Sequence, residues 1–327
     1  MGSCSVFPAT FQSQGSTLAW GMGDNIFIFV SPKCKALMNV GIVGTGNLGS
    51  TLIEGIYSTD YHDVSVFGYN RTRKNIARLG RKYPRLRICN KVETVIIRSQ
   101  ILIFAVPFSL IQELSDSVIA TIRRKQPLIL ALCGYVPIRL LQHYFPTKVA
   151  KAYPNINWAV GKGVMLIHFG SQFNIKDKKC ILSILTRVGD VYEVSEDQFR
   201  PYCNLMSCGP ALWMRLIDLF VAANVGEYNI DPKLGMEMAQ KTIEGTFRLM
   251  KEKNYSIEKV IGKVASRGGT TEAGLKCFEK FLPKIFADTV EQIALRDSER
   301  INRLGRKWPD NSKLDKLPKW KNSNVTN

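Results

Sequence analysis

The sequence predicts an α/β protein: a doubly wound, mostly parallel sheet followed by an all-α segment. Three observations predict it. From Met38 onward, short apolar runs of strand length alternate with helical patterns, the arrangement of parallel strands joined by right-handed helical crossovers. A glycine-rich turn connects the first of these strands to the first helix. Beyond about Ser195 the strand signals stop, and the remaining patterns are helical.

The elements follow in order. Asn39–Val43 is a short apolar strand, and Leu48, Leu52, Ile53 and Ile56 mark the apolar stripe of the helix behind it. Val64–Tyr69 reads as a second strand, followed by a polar helix to Tyr83 that Pro84 ends. The longest apolar runs, Ile101–Val106 and Leu128–Cys133, read as buried strands of a parallel sheet. Between them a helix is expected from about Ser109 to Arg124. Lys148–Ala152 and Val164–Ile167 look like further strands of the sheet, with Val191–Val194 closing it. Pro210–Val225 is a helix apolar almost all round, broken by Arg215, Asp218 and Asn224. Helical patterns recur at Lys233–Lys253, Ser256–Ala265 and from Ala273 to about Leu304, with Pro283 interrupting the last. A helix apolar on every face must be covered on every face. A homodimer or higher homo-oligomer through the C-terminal helices is therefore expected.

This gives four expected segments: an extension at 1–37, a nucleotide-binding domain at 38–195, a helical dimerisation and substrate domain at 196–304, and a basic tail at 305–327. The extension is nearly uncharged and rich in Ser, Gly and Phe, so it is expected to be disordered or loosely attached. Its start lacks the cationic region of a signal peptide, and Val6 stands where a myristoylation pattern wants Ser or Thr.

No run approaches the ~18 consecutive apolar residues of a membrane span, and no membrane association is expected. Eight cysteines at irregular spacing form no C-x-x-C pair, and the three histidines are far apart. No metal site is expected, and reduced thiols point to the cytoplasm. The net charge of +18 includes one block, Arg71, Arg73, Lys74, Arg78, Arg81, Lys82, Arg85 and Arg87, with no acidic residue among them, and a second basic stretch from Arg296 to Lys321 that Asp297, Glu299, Asp310 and Asp315 dilute. Tyr83 is the one aromatic residue within the first block, short of the interleaved aromatics that a stacking groove for bases needs, and no nucleic-acid partner is expected.

Gly44-Thr45-Gly46-Asn47-Leu48-Gly49 spells G-x-G-x-x-G between the first strand and the first helix, the context in which the string means a dinucleotide-binding Rossmann turn. Gly44 permits the tight turn, Gly46 lets the backbone approach a pyrophosphate, and Gly49 lets the helix lie close to the sheet. NAD enzymes place an acidic residue about 20 residues on, against the ribose hydroxyls. Here the second strand instead ends in Tyr69-Asn70-Arg71-Thr72-Arg73-Lys74. No carboxylate repels a 2′-phosphate, and Asn70, Arg71, Thr72 and Arg73 are suited to hold one. The expected cofactor is NADP(H). Farther on, Gly268-Gly269-Thr270-Thr271 opens a helix, where free N–H groups suit a carboxylate. The plainer alternative is that the two threonines only cap that helix.

Several segments together resemble the pyrroline-5-carboxylate reductase family. They are NVGIVGTGNLGSTLIEGI from Asn39, NRT at Asn70–Thr72, KAYPN at Lys151–Asn155, SCGPA at Ser207–Ala211 and VASRGGTTEAGLKCFE at Val264–Glu279. They occur in the family's order, and the similarity covers Met38 to Arg300. The form at Cys208–Ala211 is nearer to the late competence protein ComER branch than to the housekeeping enzymes, which have Ser-Gly-Pro-Ala there. The resemblance implies reduction of the cyclic imine 1-pyrroline-5-carboxylate to proline by NADPH. It implies that Thr271 hydrogen-bonds the imine nitrogen, with Gly268, Gly269 and Thr270 beside the substrate. Ala105, Val106 and Asn155 take positions near the nicotinamide. It also implies interlocked C-terminal helices.

The chain departs from the family pattern at four places. Pro107-Phe108 replaces Lys-Pro, Lys151 and Tyr153 replace Arg and Met, Arg267 replaces Pro, and Cys208 replaces Ser. These departures underlie an alternative reading, a diverged and catalytically weak NADP-binding homologue with a regulatory role linked to competence.

Overall fold

The computed structural model describes residues 19–22, 25–28, 38–58 and 63–305. Within the expected extension, β1 (Ala19–Met22) and β2 (Asn25–Ile28) pair antiparallel. The rest of the extension and the tail beyond residue 305 lie outside the described residues.

The main sheet begins with β3 (Met38–Val43), followed by α1 (Asn47–Tyr57), β4 (Val64–Tyr69), α2 (Arg73–Lys82), β5 (Arg87–Ile88) and α3 (Val92–Arg98). Next come β6 (Ile101–Phe104), α4 (Phe108–Gln112), α5 (Asp116–Lys125), β7 (Leu128–Ala131), α6 (Ile138–Tyr144) and β8 (Val149–Pro154). β9 (Gly163–Phe169), α7 (Ile175–Leu185) and β10 (Gly189–Glu193) complete the sheet. Its order is β10-β9-β8-β7-β6-β3-β4-β5. All neighbours run parallel except β8 and β9, which pair antiparallel. From β5 to β8 this is the doubly wound order in which chain direction switches between β3 and β6, and ligands bind outside the carboxyl ends of the strands there.

The apolar runs become buried strands as their composition dictates. Val40, Ile42, Val66, Leu102, Ile103 and Phe104 are all 0% exposed. One core lies on each side of the sheet, beneath α1 and α7 on one face and beneath α3, α5 and α6 on the other. Trp158 is also fully buried. It occupies a slot floored by Gly55 and Gly189, where an added Cβ would stand 2.7 Å and 3.1 Å from its ring atoms. The helix expected between β6 and β7 is two helices, because Glu113 leaves helical geometry and Ser115 starts α5 afresh.

Helix α8 (Glu196–Cys203) passes through a π turn at Asn204–Cys208 into α9 (Gly209–Tyr228). α10 (Pro232–Lys253), α11 (Ile257–Val264) and α12 (Thr270–Gly305) follow. Pro283, expected to interrupt the last helix, lies within a continuous α12. It is exposed, so the carbonyl it leaves without an N–H can take water instead. Contacts group the described residues Gly209–Arg296 as one compact unit and the rest as another.

The helical unit exposes large apolar side chains along α9, among them Trp213 at 46%, Leu219 at 52% and Phe220 at 58%. The helical run Glu196–Tyr228 is long and apolar enough to cross a membrane by length and composition, and only 17% of its most apolar stretch is buried within the chain.

Candidate functional site

The carboxyl ends of β3, β4 and β6 carry the predicted dinucleotide residues. After β3, Gly44 adopts φ +97°, a conformation that disfavours any residue with a Cβ. Gly49 faces the Gly44 carbonyl so closely that a Cβ would overlap it. Gly46 differs: a Cβ there would meet no atom of the chain. Nothing in the fold requires glycine at that exposed position. A pyrophosphate lying against the backbone would. α1 opens from Gly46 with no side-chain cap and no acidic residue in its first turn, so its first N–H groups and the positive end of its dipole are available to an anion. Thr45 is buried, and its Oγ1 finds no partner. Asn47 and Leu48 occupy the first turn of α1.

The turn after β4 is built around Asn70. Its Oδ1 accepts the Thr45 N–H at 2.9 Å, and its Nδ2 donates to the Thr72 carbonyl at 2.8 Å. Thr72 is the N-cap of α2 without a side-chain hydrogen bond, and no acidic residue occupies that first turn. Arg71 and Arg73 are exposed. Arg73 donates to Asn90 at 3.1 Å. A turn of this kind, cationic and free of carboxylates, fits a phosphate monoester.

At the end of β6, Ala105 and Val106 are half-buried. The departure next to them is inward: Phe108 is 0% exposed and packs edge-on against Tyr144. Asn155 is 7% exposed, and its Oδ1 accepts the Val164 N–H at 3.0 Å. That bond ties the end of β8 to the start of β9.

Two features of this unit escaped the sequence reading. Lys151, 3% exposed, pairs with Glu196 at 3.0 Å and lies 4.6 Å from the centre of the Phe199 ring. Glu196 also accepts the Ile138 N–H at 2.7 Å. Burial pushes the Lys151 ammonium below its ordinary range, and Glu196 pulls it back up. The second feature is the π turn, a geometry frequent at functional positions. Burial raises both thiols there: Cys203 is pushed up to about 12, and Cys208 is also raised. Both shifts favour the neutral thiol over the nucleophilic thiolate. Among the described residues, no group of His, Cys, Asp and Glu side chains could hold a metal ion.

In the helical unit, the turn into α12 carries the other predicted residues. Gly268 has φ +72°. The Gly269 N–H is used by the Ser266 carbonyl at 3.0 Å. Thr270 and Thr271 open α12 and are exposed, with first-turn N–H groups that helix geometry leaves without an intrahelical acceptor. Glu272 had no place in the sequence reading. Its Oε2 accepts the Gly268 N–H at 2.8 Å and stands 3.7 Å from Lys276. That back-bond removes Gly268 from the free donors and leaves Thr270 and Thr271.

Comparison with known proteins agrees with this geometry. Residues 39–132 match the family model described as NADP oxidoreductase, coenzyme F420-dependent. Residues 196–300 match the model for pyrroline-5-carboxylate reductase dimerisation. ComE operon protein 4 of Bacillus subtilis is 24% identical over 273 residues, 83% of this chain and 99% of that protein. The pyrroline-5-carboxylate reductase of Aquifex aeolicus is 27% identical over 271 residues, 82% and 97% of the two chains. Among solved structures, pyrroline carboxylate reductase of Plasmodium falciparum with NADP bound superposes with a TM-score of 0.67 at 23% identity, covering 80% of this chain and 96% of that one. The enzyme of Streptococcus pyogenes gives 0.71 at 17%, covering 80% and 98%. Fold and site together define an NADP-dependent oxidoreductase with a helical dimerisation domain. The chain is similar to pyrroline-5-carboxylate reductases along most of its length and carries a match to their dimerisation domain.

Proposed function

We propose that this protein is a cytoplasmic, homo-oligomeric reductase that uses NADPH to reduce 1-pyrroline-5-carboxylate, or a close cyclic imino acid, to proline or its analogue. The observation that carries this reading is the turn into α12. It offers the N–H groups of Thr270 and Thr271 and the Thr271 hydroxyl at one helix start, chemistry suited to a substrate with a carboxylate and a protonatable ring nitrogen.

When bound, NADPH supplies the hydride that the imine carbon accepts. The chain's residues supply position. Gly44–Gly49 receives the pyrophosphate at the start of α1, and Arg71 and Arg73 hold the 2′-phosphate beside the Asn70–Thr72 turn. Ala105, Val106 and Asn155 border the nicotinamide. The N–H groups at the start of α12, beside Gly268 and Gly269, orient the carboxylate, and the Thr271 hydroxyl hydrogen-bonds the ring nitrogen, which takes a proton from solvent to form the iminium and keeps it in the product amine. Orientation and one well-placed hydrogen bond are what such a transfer needs.

A second reading, a catalytically weak NADP-binding homologue with a regulatory role in competence, is favoured by two substitutions. Tyr153 brings a half-buried phenol, and Arg267 puts an exposed cation beside the carboxylate turn. The deciding experiment follows loss of reduced-nicotinamide absorbance with 1-pyrroline-5-carboxylate, for wild type, Thr271→Ala and Thr271→Ser. The reductase reading expects turnover in the wild type, a fall of about a hundredfold in the alanine variant and recovery with serine. NADPH binding without turnover rejects it in favour of the second reading.

A further inference from the structure

We propose that Asn70 is a positioning residue that locks the pyrophosphate turn to the 2′-phosphate turn, and so sets affinity for the whole dinucleotide rather than for its 2′-phosphate alone. The inference rests on the dinucleotide reading above. The two turns leave neighbouring parallel strands and are joined at two points, and a third bond braces the second turn internally. Gly44 N–H donates to the Tyr69 carbonyl at 2.8 Å, Thr45 N–H to Asn70 Oδ1 at 2.9 Å, and Asn70 Nδ2 to the Thr72 carbonyl at 2.8 Å. Two of the three run through one side chain.

Chemistry fixes how that amide is turned. Thr45 presents an N–H and needs an acceptor, while Thr72 presents a carbonyl and needs a donor. Only a planar carboxamide of this length meets both at once. Aspartate keeps the acceptor and loses the donor, and alanine loses both. Two consequences follow. The Thr45 N–H is spent inside the protein, so the phosphate-facing donors of this turn are those of α1's first turn. The Thr72 carbonyl is held at the N-cap of α2, which fixes the start of the helix that carries Arg73 and sits beside Arg71. Asn70 thus acts on both phosphate subsites through backbone geometry. A direct 2′-phosphate ligand acts on one.

Full-length Asn70→Ala, Asn70→Asp and Arg71→Ala proteins are titrated with NADPH and with NADH, each followed by calorimetry beside its melting temperature. Asn70→Ala is expected to weaken both dinucleotides by the same factor, about tenfold, leaving their affinity ratio unchanged. Arg71→Ala is expected to weaken NADPH alone. Asn70→Asp retains the Thr45 contact and adds a carboxylate beside the 2′-phosphate. NADPH should therefore weaken at least about tenfold more than NADH. If Asn70→Ala weakens NADPH and spares NADH, or spares both, the positioning role is wrong while the cofactor reading stands. A wild type that binds neither dinucleotide overturns both. Should the alanine variant melt before it can be titrated, Asn70→Ser is titrated in its place, and weakening of NADPH alone there rejects the proposal.

Discussion

Lys151 sits on β8 with its side chain almost entirely out of water, and one carboxylate, Glu196, stands against it. Removing either partner is not symmetrical. Glu196 is 36% exposed at the side chain and keeps the Ile138 N–H, so it tolerates loss of the lysine. Lys151 without Glu196 has only the Val136 carbonyl at 3.4 Å and the Phe199 ring. Glu196→Gln is therefore expected to destabilise by about 3 kcal/mol, and Lys151→Met by less than half of that. Urea unfolding measures both, and an equal or larger loss in Lys151→Met would contradict the asymmetry. The pH dependence has a definite sign. Burial puts the folded-state pKa of Lys151 below its ordinary value, so the unfolded chain binds its proton more readily. Stability rises as pH climbs between the folded and unfolded values, and the methionine variant lacks that rise. The Lys151–Glu196 pair has no local signature, because only the fold brings its two members near. The Glu272–Gly268 bond spans four residues and is a local helix-start contact.

The elements were legible wherever one physical cause dominated. Strands of the doubly wound sheet were visible as apolar runs because both faces of a parallel sheet are buried, and β3, β4, β6 and β7 lie where those runs lie. The glycine turn was legible because Gly44 and Gly49 answer to backbone geometry. The break between α4 and α5, the π turn and the uninterrupted α12 were not, since no short motif marks any of them. The strongest element-scale consequence concerns α9. Its exposed Trp213, Leu219 and Phe220 lie inside the segment matched by the dimerisation model, which accounts for an apolar helix left uncovered within one chain. Leu219→Asp is expected to lower the assembled mass toward that of a monomer in sedimentation velocity, with no detergent needed by the wild type. A wild type that sediments as a monomer, or partitions into lipid vesicles, would contradict a helix covered by a second copy.

At the scale of the molecule, a Rossmann unit and a helical unit divide the work. The first offers phosphate-binding turns without carboxylates, and the second offers a helix start with free donors and a hydroxyl. The nature of the cofactor was readable from the sequence because charge at Asn70–Arg73 and backbone freedom at Gly44–Gly49 are local properties. The substrate was not, because no local pattern encodes it. The central claim is hydride transfer from NADPH to an imine carbon, and it is tested most directly by following the hydride itself. Wild-type protein is incubated with 1-pyrroline-5-carboxylate and NADPH carrying deuterium at the transferable C4 position, and the product is analysed by mass spectrometry and NMR. The account predicts proline with one deuterium on the former imine carbon, formed in step with NADP⁺. Unlabelled proline, or no proline while NADPH binds, would contradict it.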